Sequence, residues 1–531
     1  MAHFSSRFSA FCLLVAALGC WRSSSTVSDA GAVADSAPPP RDVDPDAPPI
    51  AASDEPMGFA TQYADPTSGQ ILVVSGGAGA AASNIYVVSN RKQLKSALLN
   101  AGSPTYATDA KAAQNEPKII YVMGSIIGNQ LDDGTLADAS TYRTTPNPNQ
   151  YDFDLYLKSF DTALLASLQA QASPDGGGTD GGGADGGDAA AAAAQLALIK
   201  SQPASQRTTF SNNQKAQIQF QVPPNTSLLG VGADAKIIDG YLSFNTYSPS
   251  FGSTLNSNII VRNIEFQAPQ DLAPAWDPTD TSTGAWNARY DAISIVTGRN
   301  IWIDHCTFSD GAHPDSAEPK PFNGKHVQRH DGLVDIEDGS DDITISYCIF
   351  REHDKTTLIG STGGGTAGQQ NVETGREHIT FFANLWERSV QRAPLARWGQ
   401  FHLLANLYRG DYIDPDYPLL YFIGLGTSSS ILSESNVFDV TGSTAIATLK
   451  GRIFAASGGT KFHDVGSWFG DSPFTDIETY AAQKAPGTTS ALGWTVPYPY
   501  SAGTSSTAVR QHVLDNAGAG KLALHPPAAT P

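Results

Sequence analysis

The sequence predicts an all-β protein, a right-handed single-stranded parallel β-helix with long loops on one side and a short N-terminal capping helix. Two observations lead there. Short apolar strands ending in polar turns recur in register at 258–266, 300–308, 342–350, 378–386 and 400–408. Aligned on the small polar residue near each strand end, they give Asn263, Cys306, Cys348, Asn384 and Asn406, spaced by 43, 42, 36 and 22 residues. The shortest interval suits one bare coil of three short strands and their turns. The longer ones imply the same coil carrying loops of roughly 14 to 21 more residues. Stacking such coils at about 4.8 Å turns equivalent residues into internal ladders, in which Asn satisfies turn backbone groups that burial would otherwise leave unpaired. Cys306 and Cys348 become rung neighbours whose side chains run parallel, a geometry that disfavours a disulfide, so two free, buried thiols are expected.

Along the chain, residues 1–20 (MAHFSSRFSAFCLLVAALGC) combine a short n-region holding Arg7 with an apolar stretch and small residues before Cys20. That is an export signal, too short to span a membrane. Gly19-Cys20 resembles a bacterial lipobox with Ala17 in place of the usual Leu, so lipidation at Cys20 and simple secretion are the two outcomes weighed. Residues 21–57 are rich in Ser, Ala, Pro and Asp and read as a flexible tether. Leu94, Ala97 and Leu98 stand at helical spacing within 90–99, with Asn90 or Ser89 as N-cap, and KIIYVMG (118–124) reads as a buried strand. A Gly-Asp-Ala tract at 173–194, part of an insertion at about 170–200, is expected to be a disordered surface element. The β-helix domain should run from 58 to 521, followed by a tail at 522–531.

Composition limits the partners. A formal charge of −19 over 531 residues excludes nucleic acid as a natural partner and suits a polyanion poorly unless a local positive site exists. With Cys306 and Cys348 the only cysteines beyond the leader, neither a disulfide scaffold nor a zinc-type cluster is available. A monomer is expected.

Three carboxylates occur at coil-equivalent places: Asp291 in NARYDAISI, and Asp331 and Asp335 in HDGLVD. Intervals of 40 and 44 residues set them about one coil apart. Loops permitting, they converge on the outer face, where hard oxygen donors without nearby Cys suit Ca²⁺. The competing reading from spacing alone is a solvated acidic patch. Lys355 in HDKTTLIGST, and Arg392 and Arg397 in VQRAPLARWGQ, add basic residues beside the carboxylates. Together these suggest a divided site, cation on one side and anion clamps on the other. Singly, each would be read as a surface ion-pair residue.

Taken together, IWIDHCTFSDG (301–311), HDGLVDIEDGSDDITISYCIF (330–350), HDKTTLIGST (353–362) and VQRAPLARWGQFHLLANLY (390–408) resemble the central motifs of the bacterial pectate lyases of polysaccharide lyase family one. NTSLLGVGADAKI (225–237), GFAT (58–61), LGWTVPYPY (492–500) and NAGAGK (516–521) are similar to the family's early coil, opening and closing segments, so the likeness runs from about 58 to 521 apart from the glycine-rich tract. The resemblance implies that Asp291, Asp331 and Asp335 ligate Ca²⁺, that Lys355 and Arg397 bind galacturonate carboxylates, and that Arg392 removes the C5 proton. It also implies cleavage of polygalacturonate by β-elimination to unsaturated oligogalacturonides, by a secreted enzyme or a cell-surface lipoprotein. Some members carry a further carboxylate two residues before the first ligand, where this chain has Arg289, which puts the number of calcium ions in question. Asp304, His305, His353 and Asp354 match family positions and are expected to be structural. Alternatives from other classes are a pectin lyase acting without calcium, a polygalacturonase-like hydrolase using Asp331 and Asp335 as acid and base, and a non-catalytic module that binds acidic polysaccharide.

Overall fold

The structure, a computed structural model, describes residues 54–65, 68–143, 151–173, 186–202, 204–245, 256–321, 324–361 and 372–526. The export signal, Cys20 and most of the expected tether lie outside the described residues. From Gln219 onward the chain repeats one unit: a short strand, a turn, a second strand, a tight bend, a third strand and a loop. Residues Ile293–Val296, Gly298–Asp304 and Thr307–Ser309 make one such coil, and Val334–Glu337, Asp341–Ser346 and Ile349–Lys355 make the next. Each strand pairs in parallel with its counterpart one coil away, Ile301 with Ile343, then Ile343 with Ile379, Ile379 with Phe401 and Phe401 with Ile431.

These pairings explain why the core residues are of a kind. Parallel, in-register stacking places identical positions directly above one another, so a coil position that faces inward does so in every coil. The third strands carry a continuous aromatic stack, Phe266, Phe308, Phe350, Trp386, Tyr408 and Phe438, with neighbouring ring centroids 4.8–5.3 Å apart and nearly parallel planes. Beside it runs a polar ladder. The backbone N–H of Cys348 donates to Asn384 Oδ1 (2.8 Å), that of Asn384 to Asn406 Oδ1 (2.9 Å), and that of Asn406 to Asn436 Oδ1 (2.8 Å). Cys306 and Cys348 are free and buried, as expected. They occupy the same ladder, with the N–H of Cys306 3.4 Å from Cys348 Sγ.

One rung of the sequence alignment is off by a residue. Arg262 pairs with Asp304, so Asn263 stands opposite His305 and it is Ile264 that shares a rung with Cys306. Asn263 takes a left-handed turn conformation (φ 61°) and works outward instead. Its amide donates to the Gly230 carbonyl (2.9 Å), while its Oδ1 accepts from the N–H groups of Gly520 (2.8 Å) and Leu522 (3.2 Å), tying the C-terminal segment to the coil.

The capping helix is Arg91–Leu98, with Asn90 Oδ1 accepting from the Gln93 N–H and Leu94, Ala97 and Leu98 buried in the main core. Its partner strand is Lys118–Ile127. Gly58 begins a short turn laid across the second strands, where the N–H groups of Phe59 and Ala60 donate to Thr380 and Thr344 hydroxyls (both 3.1 Å). At Gly58 (φ 72°) a Cβ would fall 2.6 Å from Thr344 Oγ1, so only glycine fits this approach.

The expected disordered insertion needs correction. Residues 174–185 lie outside the described residues, but the alanine-rich part folds as the helix Gly186–Lys200. It packs on Thr162–Ala172 through Leu168, Ala192 and Ile199, and Ala204–Ile218 adds a further helix. Alanine has the highest intrinsic helix propensity, and a partner helix supplies the burial that low complexity seemed to deny. All of these helices belong to one excursion between the strands Lys118–Ile127 and Gln219–Gln221.

Because Phe350 is fully buried between Phe308 and Trp386, Phe350→Ala should cost about 3–5 kcal/mol of unfolding free energy, read from the midpoint of a denaturant titration.

Candidate active site

The loops before Ile293–Val296 and Val334–Glu337, and that before Ile423–Gly426, leave from the same place in the coil, between a third strand and the first strand of the next. Asp291 immediately precedes the first strand Ile293–Val296. One coil on, Asp335 lies within Val334–Glu337, paired with Ser294, and Asp331 precedes it. Lys355 ends the third strand of that coil and bridges to Gly332. The next coil presents Leu358 and Ile359, the latter bridging to Ile336, and one coil beyond it Arg392 and Arg397 flank the two-residue strand Leu395–Ala396, which bridges to Leu358. Stacking therefore collects all six predicted site residues, spread over four successive coils, on one side of the molecule.

Hydrogen bonds fix them there. Asp291 Oδ1 accepts from the Gly332 N–H (2.9 Å), Asp335 Oδ1 from the Leu358 N–H (2.9 Å), and Asp331 Oδ1 from Lys355 Nζ (3.2 Å). Gly332 has no room for a side chain, since a Cβ would lie 2.3 Å from Asp335 Oδ1. Arg392 adopts a left-handed backbone (φ 63°), with its carbonyl accepting from the Thr357 N–H (2.9 Å) and the Thr356 hydroxyl. Its Nε is buried without a partner, and its guanidinium meets the Tyr421 hydroxyl. Arg397 Nη1 donates to the Gly360 carbonyl (3.0 Å), leaving its Nε likewise unpaired.

The electrostatics are those of crowded like charges. Burial, reinforced by Asp335 and Asp331, pushes Asp291 well above the usual carboxylate range. Burial and the Asp331 charge push Asp335 up to about 7, and burial with Asp335 lifts the neighbouring Glu337 to about 8. Lys355 is held above its ordinary value: burial works against its charge, but Asp331 and Asp354 outweigh it. Burial and the nearby Arg392 lower Arg397. Three convergent carboxylates, two of them buried and resisting ionisation, form a donor set that fits a hard divalent cation.

Among the described residues, the acidic or histidine trio with ligand atoms all within 4.8 Å of one another is a different one, Asp341, Asp342 and His378. The cleft aspartates are spaced more widely, consistent with mutual repulsion and with Asp331 drawn toward Lys355. The tighter trio sits at the turn between first and second strands and is an ion-pair knot. His378 Nδ1 lies 2.8 Å from Asp341 Oδ1, which also accepts the backbone N–H groups of His378 and Asp342, and Asp341 holds the imidazole above its ordinary pKa against the opposing effect of burial.

A cleft of about 720 Å³ opens beside the carboxylates, bordered by Lys355, Arg392, Asp354, Trp286, Lys320 and Tyr417. Asp354, expected to be structural, accepts from Gln328 Nε2 (2.5 Å) and Gln391 Nε2 (2.9 Å) within it. Tyr421 and Tyr417 were not foreseen, because the loop that carries them, IDPDYPLLY, shows no pattern beyond turn residues. Arg289 donates to Ser211 Oγ (2.9 Å) and Asn212 Oδ1 (2.8 Å) of the inserted helix and so anchors the insertion to the segment before Asp291. Asp304 and His305 lie away from the cleft in a buried network with Arg262 and Ser346.

The fold and the site together define a parallel β-helix protein with an acidic cluster beside a cleft that Lys355 and Arg392 line. A family model described as pectate lyase matches residues 166–522. The pectate lyase of Bacillus subtilis strain 168 is 36% identical over 448 residues, covering 84% of this chain and 90% of that protein. Pectate lyase E of Dickeya chrysanthemi is 37% identical over 319 residues, 59% of this chain and 76% of that one. A solved arginine-to-lysine variant of the B. subtilis enzyme superposes with a TM-score of 0.67 at 33% identity, covering 89% of this chain and 98% of the other. A pectate lyase solved with a hexasaccharide bound gives 0.67 at 32% identity, with the same coverage. The chain belongs to the pectate lyase family and is an enzyme of that class.

Stability should carry the mark of these buried groups. Asp335 and Glu337 keep protons in the folded state that the unfolded chain releases above about pH 4, so their contribution is complete below that pH and is lost as pH rises through about 7 to 8. His353, raised to about 8 by Asp310 against the opposing effect of burial, contributes below about pH 6.5 and loses that contribution over the next two units or so. The melting temperature of chelator-treated protein should therefore fall steadily between pH 5 and 8.5 in a calorimetric series, on the order of several degrees.

Proposed function

We propose that this chain is a calcium-dependent pectate lyase that cleaves α-1,4-linked polygalacturonate by β-elimination, giving 4,5-unsaturated oligogalacturonides. The observation that carries the reading is the crowding of Asp291, Asp331 and Asp335, with Lys355 bonded to Asp331 and, together with Arg392, lining the adjacent cleft. Asp291, Asp331 and Asp335 would hold Ca²⁺, which when bound draws electron density from a galacturonate carboxylate and so acidifies C5. Lys355 and Arg397 bind substrate carboxylates, and their positive charge answers the poor match between an acidic protein and an acidic polymer. Arg392 accepts the C5 proton. The C5–H electron pair becomes the C4–C5 double bond, the C4–O glycosidic bond breaks, and the departing oxygen takes a proton from solvent. An arginine serves as a base only in its neutral form, whose share grows with pH, so activity should climb above neutrality. Export by the N-terminal signal, with lipidation at Cys20 or release, and action as a monomer complete the proposal.

Purified protein mixed with polygalacturonate at alkaline pH should produce the ultraviolet absorbance of the conjugated double bond with calcium and lose it with chelator. Reducing ends without that absorbance would mean hydrolysis instead. Arg392→Ala should lower kcat about a thousandfold while polymer affinity stays within about threefold. Retained turnover would remove Arg392 from its role. Asp335→Ala should weaken calcium binding at least about tenfold by titration calorimetry.

A further inference from the structure

His353 is 1% exposed, sits two residues before Lys355 on the strand Ile349–Lys355, and meets a partner at each ring nitrogen. Its Nδ1 lies 2.5 Å from Asp310 Oδ1, and its Nε2 lies 2.7 Å from the backbone carbonyl oxygen of Asp331. A carbonyl only accepts, so Nε2 donates to Asp331, while the bond between Nδ1 and Asp310 fixes the plane of the ring. Asp310 is itself 4% exposed, and its second oxygen accepts from the Tyr417 hydroxyl at the cleft wall (3.3 Å).

Residues two apart on a strand point to the same side, so one short segment grips Asp331 twice. Lys355 holds its carboxylate and His353 its backbone carbonyl. The same peptide group is pinned at its other end, by the Gly332 N–H donating to Asp291. We propose that His353, locked by Asp310, is a positioning residue that fixes the backbone of Asp331 and so aims its carboxylate toward Asp291 and Asp335. The inference rests on the calcium reading of those three aspartates. It also revises the expectation that His353 is merely structural, because its second donor reaches the site.

Two substitutions separate the donors. In His353→Asn the amide replaces the Nδ1 donor and keeps the bond to Asp310; in His353→Gln the longer amide replaces the Nε2 donor and keeps the bond to Asp331. Titration calorimetry with calcium on the purified full chain should show affinity reduced about tenfold or more in the Asn variant and less than about threefold in the Gln variant, although both lose the imidazole. Equal affinities in the two variants, or losses that follow melting temperature rather than the surviving donor, would overturn the role. Should wild-type protein bind no calcium, the calcium reading fails by itself. The Asn-to-Gln contrast in kcat/KM on polygalacturonate then decides for or against His353. If either variant does not fold, nitrogen-15 histidine spectra of wild-type protein decide. A buried ring whose Nε2 carries a hydrogen-bonded proton supports the assignment, and an Nε2 without a proton at that position refutes it.

Discussion

Everything in this molecule depends on the parallel, in-register stacking of its coils. A strand in such a stack satisfies its backbone groups only through the coils above and below, so the register of each coil is dictated by its neighbours. From that constraint follow the aromatic stack from Phe266 to Phe438, the asparagine ladder at Asn384, Asn406 and Asn436, and the row of buried isoleucines in the second strands. A residue placed wrongly in one coil would meet the equivalent residue of the next, which is why substitution within the ladder stays among shapes that stack. Cys348 takes the rung beneath Asn384 because a thiol still fills the space, while its own N–H is satisfied from above.

The same stacking turns loops into a site. The register of each coil is fixed by its neighbours, so length variation falls in the connections, and those before Ile293–Val296 and Val334–Glu337 leave from the same junction. Asp291, Asp335 and Arg392 each lie near the start of a first strand, the two aspartates in adjacent coils about one strand spacing apart and Arg392 two coils beyond Asp335. Charge then decides their relations. Crowded aspartates raise one another's proton affinity, Lys355 leans onto the most exposed of them, and the buried Nε groups of Arg392 and Arg397 have no hydrogen-bond partner.

The inserted helices show how an excursion of this length is held without disturbing the stack. They pack on the loop side, where Arg289 and Tyr290 bind Ser211 and where the Tyr156 hydroxyl accepts the Trp276 N–H (3.1 Å). Aromatic contacts between Phe153 and Trp286 extend the same interface to the wall of the cleft. The insertion thus buttresses the segment leading into Asp291 rather than hanging free.

The sequence alone determined the coil, because stacking leaves a periodic trace: recurrent strands, ladder residues and long intervals where loops must leave. It also determined which six polar residues to watch, since Asp291, Asp331, Asp335, Lys355, Arg392 and Arg397 sit in motifs shared with a known family. What it misjudged was local. The one-residue slip at Asn263 arose because asparagine serves both as a ladder rung and as a left-handed turn residue, and composition does not separate the two. The alanine tract read as disorder because its burial comes from a partner helix distant from any periodic signal. Only the tertiary structure decided that Tyr421 meets Arg392, that Arg289 anchors an insertion, and that His353 reaches the carbonyl of Asp331. Each of these is a contact between loops or between a loop and a coil, and such contacts obey no repeat that a sequence could display.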